Sequence, residues 1–267
     1  MGLRVMNKGN EFFKEKIRKY WDNRPCGVQG TSLPKGNLDF FEEVENYRYT
    51  MESIIHSFVQ FTRWHGKNVL EVGCGLGTDL LQFARAGAQV YGIDLSLRSV
   101  ELANQRFRLY GFPASSIQAD AENLPFVSDQ FDLVYSWGVI HHTPNVHKAI
   151  KEIYRVLKLG GSIKIMLYHR VSWYALKMYF DYGLFKGKPF TSISRILSEY
   201  QESPGTKGYT IHEAKEMFSC FSDLMVRPVI TPYETRKRLW GIFPMSGLIN
   251  LCGDRLGWFM LISGRKV

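Results

Sequence analysis

Three glycines at alternate positions are the first residues of this 267-residue chain whose spacing points to chemistry. Gly73, Gly75 and Gly77 follow a short apolar run at 69–72 and precede apolar residues that recur at helical spacing over 80–84. A strand that passes through such a turn into a helix lets backbone N–H groups approach a ligand without interference from Cβ atoms. The alternative interpretation is a glycine-rich turn that binds no ligand.

Two aspartates stand where the next two predicted strands end. Asp94 follows the run 89–93, and Asp120 follows the run 116–119. Each carboxylate could cap a helix, or it could accept hydrogen bonds from a nucleoside bound beside the glycine turn. A dinucleotide fingerprint requires glycine at the sixth position of the turn, where Thr78 stands here. The spacing therefore favours a nucleoside ligand other than a dinucleotide.

The elements that must position these residues alternate along the chain. Strands are predicted at 69–72, 89–93, 116–119, 131–136, 162–168, 223–230 and 257–263. Between them, helices are predicted at 97–110 and at 145–158, the second closed by Gly160 and Gly161. Strands separated by helices at this spacing predict βαβ units, and therefore an α/β fold with a parallel sheet covered on both faces.

Helical patterns flank this alternating region. Residues 10–22 form a basic amphipathic pattern, which could lie on a membrane or pack on its own domain. A second helical pattern spans 40–64, and the aromatic-rich stretch 170–205 predicts two more helices. Thr210 is predicted to cap a helix that continues through Phe218.

Five stretches, in this order, resemble the signatures of class I S-adenosylmethionine-dependent methyltransferases, in the small-molecule, type 11-like branch. They are Val-Leu-Glu-Val-Gly-Cys-Gly-Leu-Gly at 69–77, Tyr-Gly-Ile-Asp-Leu-Ser at 91–96, Gln-Ala-Asp-Ala-Glu at 118–122, the stretch 131–144, and Val-Leu-Lys-Leu-Gly-Gly-Ser at 156–162. The resemblance covers about residues 65–169. It implies a Rossmann-like doubly wound seven-stranded sheet, mostly parallel with the last strand antiparallel, with N-terminal helices and a helical lid insertion.

The resemblance also implies an organisation in four parts. Residues 1–64 would form an N-terminal helical segment that covers the cofactor site. Residues 65–169 would form the Rossmann-like core that binds S-adenosylmethionine. Residues 170–209 would form the helical lid insertion, and residues 210–267 would complete the core with a helix and the last two strands.

The cofactor implied by the resemblance is S-adenosyl-L-methionine. Asp94 would accept hydrogen bonds from both ribose hydroxyls, Asp120 would accept one from the adenine amino group, and the Ala121 backbone would face the ring edge. Cys74 is interpreted as a small residue that allows close packing, and Glu71 either as a cofactor contact or as a residue that organises the turn. The full set of implied cofactor contacts is Glu71, Gly73, Cys74, Gly75, Gly77, Asp94, Leu95, Asp120, Ala121, Ser136 and Trp137.

Histidines and a tyrosine near the expected methyl group are the candidates for proton transfer. His141 follows the fourth strand, and Tyr168 and His169 end the fifth, beside the same opening. Histidine suits proton transfer near neutral pH, and a base is needed only if the acceptor must lose a proton. His142 is interpreted as a histidine that holds a helix, as in many relatives, or as an acceptor contact. Gly138 stands where quinone O-methyltransferases carry acidic metal ligands, so we predict no metal.

The acceptor is expected to meet residues from the N-terminal segment and the insertion as well as from the core. The predicted acceptor contacts are Tyr20, Trp21, Arg48, His142 and Lys207. Arg48 could instead pair with the carboxylate of the cofactor, or be an ordinary surface arginine.

The composition of the whole chain bears on its cellular location and on the class of partner it binds. The formal net charge of +9 is spread along the chain, without the basic block typical of nucleic-acid binding. The four cysteines lack metal-ligand and disulfide-framework spacing, and the N-terminus lacks the pattern of a secretory signal. These features predict a cytoplasmic protein. The uncharged run 239–253 and the basic helix at 10–22 are compatible with peripheral membrane contact.

The leading hypothesis is a methyltransferase that acts on a small aromatic or amphipathic acceptor by in-line displacement. The alternatives are methyl transfer to a quinone or lipid at the membrane surface, a nucleic-acid or protein methyltransferase, and a non-enzymatic membrane-associated binding protein on the same fold. The stretch 136–139 lacks the Asn/Asp-Pro-Pro-aromatic pattern of enzymes that methylate amides. Nucleic acid is therefore disfavoured as a partner, and the sequence leaves the oligomeric state open.

Overall fold

A seven-stranded sheet forms the centre of the computed structural model, which describes residues 2–235, 238–239, 243–244 and 253–267. Its strands are β1 (Asn68–Val72), β2 (Gln89–Asp94), β3 (Ser116–Gln118), β4 (Phe131–Trp137), β5 (Leu157–Tyr168), β6 (Phe221–Val229) and β9 (Phe259–Lys266). The order across the sheet is β3-β2-β1-β4-β5-β9-β6, and β9 runs antiparallel to both of its neighbours. This arrangement confirms the predicted fold class.

Two further strands, β7 (Arg238–Leu239) and β8 (Phe243–Pro244), pair with each other outside the main sheet. They belong to the connection between β6 and β9. Most of the uncharged run 239–253 and Cys252 lie outside the described residues.

The strand order places a crevice between β1 and β4. From β1 the chain moves outward to β2 and β3 on one side, and later to β4 and β5 on the other. The connections therefore leave the carboxyl ends of β1 and β4 in opposite directions, which opens the space where ligands bind in folds of this kind. In this region Val72 pairs with Ile93 of β2, and Glu71 pairs with Tyr135 of β4.

Helices cover the sheet on both faces. They are α1 (Gly2–Asn23), α2 (Leu38–Met51), α3 (Ile54–Val59), α4 (Thr78–Arg85), α5 (Leu97–Leu109), α6 (Val146–Val156), α7 (Trp173–Tyr182), α8 (Ile193–Tyr200), α9 (Ile211–Met217) and α10 (Pro232–Thr235). Successive side chains of a strand point to opposite faces. Leu70 accordingly packs in one buried cluster with Ile153 of α6, and Val69 packs in another with Phe83 of α4.

One predicted boundary is wrong, at the junction of α6 and β5. The helix was expected to extend to 158 and to be closed by Gly160 and Gly161, but it ends at Val156 and β5 begins at Leu157. Leu157 pairs with Phe131, and the pairing then resumes several residues later, so the two glycines lie in an irregular part of the strand. The buried pairing of Leu157 outweighs the helical pattern of the preceding residues.

The N-terminal helix α1 packs on its own domain, which decides between the two interpretations of its amphipathic pattern. Ile17 is buried, and Asp22 accepts a hydrogen bond from the Ser96 hydroxyl at 2.8 Å, at the start of α5. Phe13 lies against Gly205, where a Cβ atom would come within 2.2 Å of its ring. The helix therefore joins the core to the segment 170–209, which we call the insertion. The predicted cap of α9 is confirmed, with Thr210 and Glu213 forming a reciprocal capping box.

Candidate active site

A large cavity lies at the crevice beyond the carboxyl ends of β1, β2 and β4. It encloses about 1080 Å³ of empty space, counting the space at its open mouth. Of the residues that the sequence singled out, those that line it are Trp21, Arg48, Glu71, Gly73, Cys74, Gly75, Asp94, Leu95, Asp120, Ala121, Trp137 and His142. The fold therefore brings most of the predicted cofactor contacts together with three of the predicted acceptor contacts.

The three glycines of the turn serve different purposes. All three have positive φ, at 78° for Gly73, 51° for Gly75 and 69° for Gly77. Residues other than glycine rarely adopt this backbone conformation. A Cβ atom on Gly73 would come within 2.2 Å of Val139, and one on Gly77 within 3.2 Å of Ala103. Close packing therefore requires Gly73 and Gly77, whereas Gly75 faces the open space of the cavity.

Asp94 is fixed by the backbone of the glycine turn and of the next helix. Its Oδ2 accepts a hydrogen bond from the Gly75 N–H at 2.9 Å, and its Oδ1 accepts one from the Ser96 N–H at 2.9 Å. Burial raises the pKa of Asp94 to about 6, against the lowering effect of these two hydrogen bonds. Each oxygen keeps a further acceptor position, so the carboxylate can still accept two ribose hydroxyls.

Asp120 is engaged by a lysine that the sequence did not single out. Its Oδ1 accepts a hydrogen bond from the Glu122 N–H, and its Oδ2 accepts one from the Lys14 ammonium at 2.6 Å. Lys14 also lies 3.0 Å from Glu122 Oε2. Burial lowers the pKa of Lys14, but the two carboxylates together raise it by more, so the net shift of the pKa is upward. Because Lys14 belongs to α1, the helix is held directly over the predicted adenine position.

Glu71 carries a buried oxygen that has no hydrogen-bond partner among the described residues, its Oε2. Burial raises the pKa of Glu71 well above its usual range, and the nearby Asp79 carboxylate adds to this effect. An unpartnered polar atom in a cavity wall is costly unless a ligand or water meets it. These features together fit a nucleoside with a polar tail: the open space at Gly75, the free acceptor positions of Asp94 and the unpartnered oxygen of Glu71.

A buried charge network closes one side of the cavity. The Arg48 guanidinium donates to both oxygens of Asp79 and lies 3.5 Å from Glu52 Oε2. The hydroxyls of Tyr49 and Tyr135 also donate to Asp79, at 2.9 and 2.8 Å. Burial alone would raise the pKa of Asp79, but the Arg48 charge and the hydrogen bonds from Arg48, Tyr135 and Tyr49 together outweigh it, so the pKa is lowered. Arg48 is therefore an internal residue whose charge is already balanced.

The adjacent histidines have different environments. His141 is fully buried, does not line the cavity, and has no hydrogen-bond partner for either ring nitrogen among the described residues. Burial lowers its pKa well below the usual range, so the ring stays neutral. His142 lines the cavity, and its ring lies edge-on to Trp21 with the centroids 5.5 Å apart.

Two hydroxyl groups of the insertion lie beside Nδ1 of His142. Nδ1 is 2.8 Å from Ser203 Oγ and 3.0 Å from Thr206 Oγ1. The single hydroxyl hydrogen of Thr206 is donated to the Ser203 carbonyl at 2.7 Å, so towards His142 this oxygen can only accept, whereas the Ser203 hydroxyl can donate or accept. On the other side of the ring, Nε2 lies 3.5 Å from Glu202 Oε2.

The remaining predicted site residues do not line the cavity; they are Tyr20, Gly77, Ser136, His141, Tyr168, His169 and Lys207. Ser136 donates to the Val72 carbonyl, and the Lys207 ammonium donates to the Thr143 carbonyl. The Tyr168 hydroxyl donates to Glu202 at 2.8 Å, whereas His169 Nδ1 lies 3.1 Å from the Gly257 carbonyl. Sequence patterns missed Lys14, Glu52, Asp79 and Glu202. Only Asp79, an acidic residue in the first turn of α4, carried a recognisable local signal.

A family model described as a methyltransferase domain matches residues 70–165, which include the glycine turn, both aspartates and His142. Residues 70–165 are a class I S-adenosylmethionine-dependent methyltransferase domain. The cofactor of this domain is S-adenosylmethionine. The family and the cofactor predicted from the sequence are thereby confirmed.

Curated relatives match part of this chain. It is 35% identical over 94 residues to a sterol 4-C-methyltransferase of Caenorhabditis elegans, which covers 34% of this chain and 28% of that protein. It is 35% identical over 112 residues to a 2-phytyl-1,4-naphtoquinone methyltransferase of Nostoc punctiforme, which covers 40% of this chain and 49% of that protein. The chain thus spans about half or less of the length of these relatives.

A solved structure extends the similarity of fold over most of the chain. The geranyl diphosphate C-methyltransferase of Streptomyces coelicolor, solved with S-adenosyl-L-homocysteine, has a TM-score of 0.63 at 17% identity. The alignment covers 96% of this chain and 98% of that one. The segments outside residues 70–165 therefore also have counterparts in a methyltransferase of the same fold.

Proposed function

We propose that this chain transfers a methyl group from S-adenosylmethionine to a small aromatic or amphipathic acceptor. The observation that carries the proposal is a single cavity lined by the glycine turn, Asp94 and Asp120 together with the aromatic rings of Trp21 and Trp137. Such a cavity offers polar contacts to a nucleoside and apolar surface to a second molecule. The sterol and phytyl-naphtoquinone named for two relatives support an acceptor with a large apolar part.

The residues in the cavity would divide the work of binding. Asp94 would accept the ribose hydroxyls, Asp120 would accept the adenine amino group beside Lys14, and Glu71 would meet the polar tail. The bound cofactor supplies an electrophilic methyl group on its sulfonium. The protein must then orient the acceptor and exclude water, since a well-oriented nucleophile gains much of the available rate. Trp21 and Trp137 would provide the apolar contacts that do so.

His142 is the residue we assign to the proton of the acceptor. It lines the cavity, and its Nε2, which has no hydrogen-bond partner among the described residues, would carry the lone pair when Nδ1 donates to Thr206. If the acceptor bears a hydroxyl group, the O–H bond breaks, its electron pair stays on oxygen, and the proton forms the Nε2–H bond of an imidazolium. The Glu202 carboxylate, 3.5 Å away, would stabilise that cation. His141 and His169 lie outside the cavity and are assigned structural positions.

The proposed function is tested by transfer of a labelled methyl group. The purified chain is incubated with methyl-labelled S-adenosylmethionine and with the aqueous, lipid-soluble, protein and nucleic-acid fractions of a cell extract. We expect label in one small molecule of the aqueous or lipid-soluble fraction, which mass spectrometry then identifies. Label that appears only in protein or RNA would contradict the proposed acceptor class, and no transfer despite measurable cofactor binding would contradict the activity.

With the acceptor identified, variants test the assignment of the proton. His142→Gln should lower turnover by about 100-fold, the usual scale of a lost general base, while S-adenosylhomocysteine still binds. His141→Asn serves as the neighbouring control, and its loss of activity should follow its loss of folded protein. Equal turnover of His142→Gln and the native chain would overturn the assignment.

A further inference from the structure

The insertion carries one exposed apolar segment. In helix α7, Ala175 and Met178 are buried, Leu176 is 38% exposed and the other seven residues are half-buried. The loop that follows, residues 184–190, is instead exposed at every position. We call this loop the insertion tip. A cluster of exposed apolar side chains is the kind of surface that a partner covers.

The insertion tip combines large apolar side chains with lysines. Leu184 is 41% exposed, Phe185 61% and Phe190 100%. Lys186 and Lys188 stand between these residues, so both charges project from the same short loop as the aromatic rings. Aromatic and leucine side chains flanked by lysines are the composition of segments that insert into the interface of a membrane.

The same insertion also contacts a residue of the cavity wall. Tyr174 of α7 donates to Gln201 at 3.0 Å and packs against Trp258 with the centroids 4.7 Å apart. Ser203 follows two residues after Gln201 and contacts His142, a residue of the cavity wall. The insertion thus carries both the exposed tip and a contact to the proposed acceptor site.

We propose that the insertion tip docks on an anionic lipid surface, with Leu184, Phe185 and Phe190 in the interface and Lys186 and Lys188 against the head groups. The positive charges of the tip select this occupant over a second copy of the chain, whose own tip would repel it and whose net charge is also positive. No helix within the described residues combines the length and apolar character needed to cross a bilayer. The inference deepens the proposed function, because an acceptor dissolved in lipid could then enter the site from the membrane.

The experiment is co-sedimentation of the full chain, without cofactor, with two kinds of vesicle. One contains phosphatidylcholine alone, and the other contains phosphatidylcholine and phosphatidylglycerol in equal parts. We expect binding to the anionic vesicles that weakens as salt is added. Phe185→Ser with Phe190→Ser should reduce that binding by about tenfold or more, because burying each ring contributes favourable transfer free energy. Lys186→Glu with Lys188→Glu should reduce binding to the anionic vesicles specifically.

The matched control replaces apolar side chains that are equally exposed elsewhere. Val127 and Leu159 are 72% and 75% exposed and lie outside the insertion, so Val127→Ser with Leu159→Ser should leave vesicle binding unchanged. No binding to either vesicle, or an equal loss in the control, would overturn the proposal. A dimer in solution that Phe185→Ser with Phe190→Ser dissociates, without vesicle binding, would also overturn it and assign the face to a second copy. The experiment measures vesicle binding and no methyl transfer, so a negative result would contradict the membrane proposal without contradicting the proposed activity.

Discussion

The cavity has two walls that are built in different ways. The cofactor wall, residues 68–144, comes from consecutive strands whose carboxyl ends meet at one edge of the sheet. The opposite wall comes from α1, the turn at 26–27 and α2, which precede those strands in the chain. The first wall is held mainly by backbone geometry, as at Gly75 and Asp94, and the second by side-chain ion pairs, as at Arg48 and Lys14. The difference indicates that substitutions in the two walls should have separable effects.

The largest effect is expected where the two walls join. Arg48→Met leaves Asp79 and Glu52 buried without their shared cation, and removing one partner of a buried ion pair costs about 3 kcal/mol or more. We expect urea unfolding to show a loss of that size. Arg48→Met combined with Asp79→Asn should recover part of the stability, because the negative charge is removed as well. A single-variant loss below about 1 kcal/mol would mean that the network behaves like a surface ion pair.

The cofactor wall is tested by Asp94→Ala. Loss of two charge-assisted hydrogen bonds to the ribose should weaken S-adenosylhomocysteine binding by about 100-fold. Isothermal titration calorimetry measures this directly. Asp39→Asn, an exposed carboxylate on α2, is the control and should bind as the native chain does. Native affinity in Asp94→Ala would show that the backbone of the glycine turn alone holds the cofactor.

The pH dependence of the same binding tests the ionisation of Asp94. Its pKa is raised to about 6, so the carboxyl is ionised at neutral pH and becomes protonated as the pH falls through that value. The ionised form accepts the ribose hydroxyls, and a proton therefore competes with the cofactor. Affinity for S-adenosylhomocysteine should fall by about tenfold between pH 7 and pH 5, whereas Asp94→Asn should lose this slope. A flat profile in the native chain would place the pKa of Asp94 outside this range.

The smallest effect is expected at Lys14, where α1 is held over the cofactor wall. Lys14→Met removes two ion pairs that are partly shielded from solvent, worth about 1 kcal/mol. Amide hydrogen exchange over residues 10–22 should accelerate by about fivefold, with little change in the sheet. Lys19→Met, whose side chain is 68% exposed, is the control. Unchanged exchange in Lys14→Met would mean that Phe13, Ile17 and the Asp22–Ser96 hydrogen bond hold the helix without the ion pairs.

The predictions from sequence were strongest where local geometry determines position. The glycines, Asp94 and Asp120 follow their strands directly, so a correct strand assignment was enough to bring them to one edge. The Thr210 cap followed from a three-residue pattern in the same way. The end of α6 was misplaced because the pairing of Leu157 with Phe131 depends on a strand some 26 residues earlier in the chain.

The other wall could not be predicted in the same way. Arg48 pairs with Asp79, which lies 31 residues away in the sequence, and Lys14 pairs with Asp120, which lies 106 residues away. No periodicity or turn signal specifies which charged residues of distant segments will meet. Glu202 carries no motif either, and it reaches His142 only because the insertion folds back over the end of β5.

The sequence by itself determined the fold class and the cofactor, and it predicted which residues follow the strands at one edge of the sheet, because strand period and glycine spacing act within a few residues. The tertiary structure decided what adjacent residues do. His141 and His142 are neighbours in the chain, but the turn after β4 buries one against Tyr168 and presents the other to the cavity. Which of two neighbours faces a ligand depends on the elements packed around them, and that packing exists only in the folded chain.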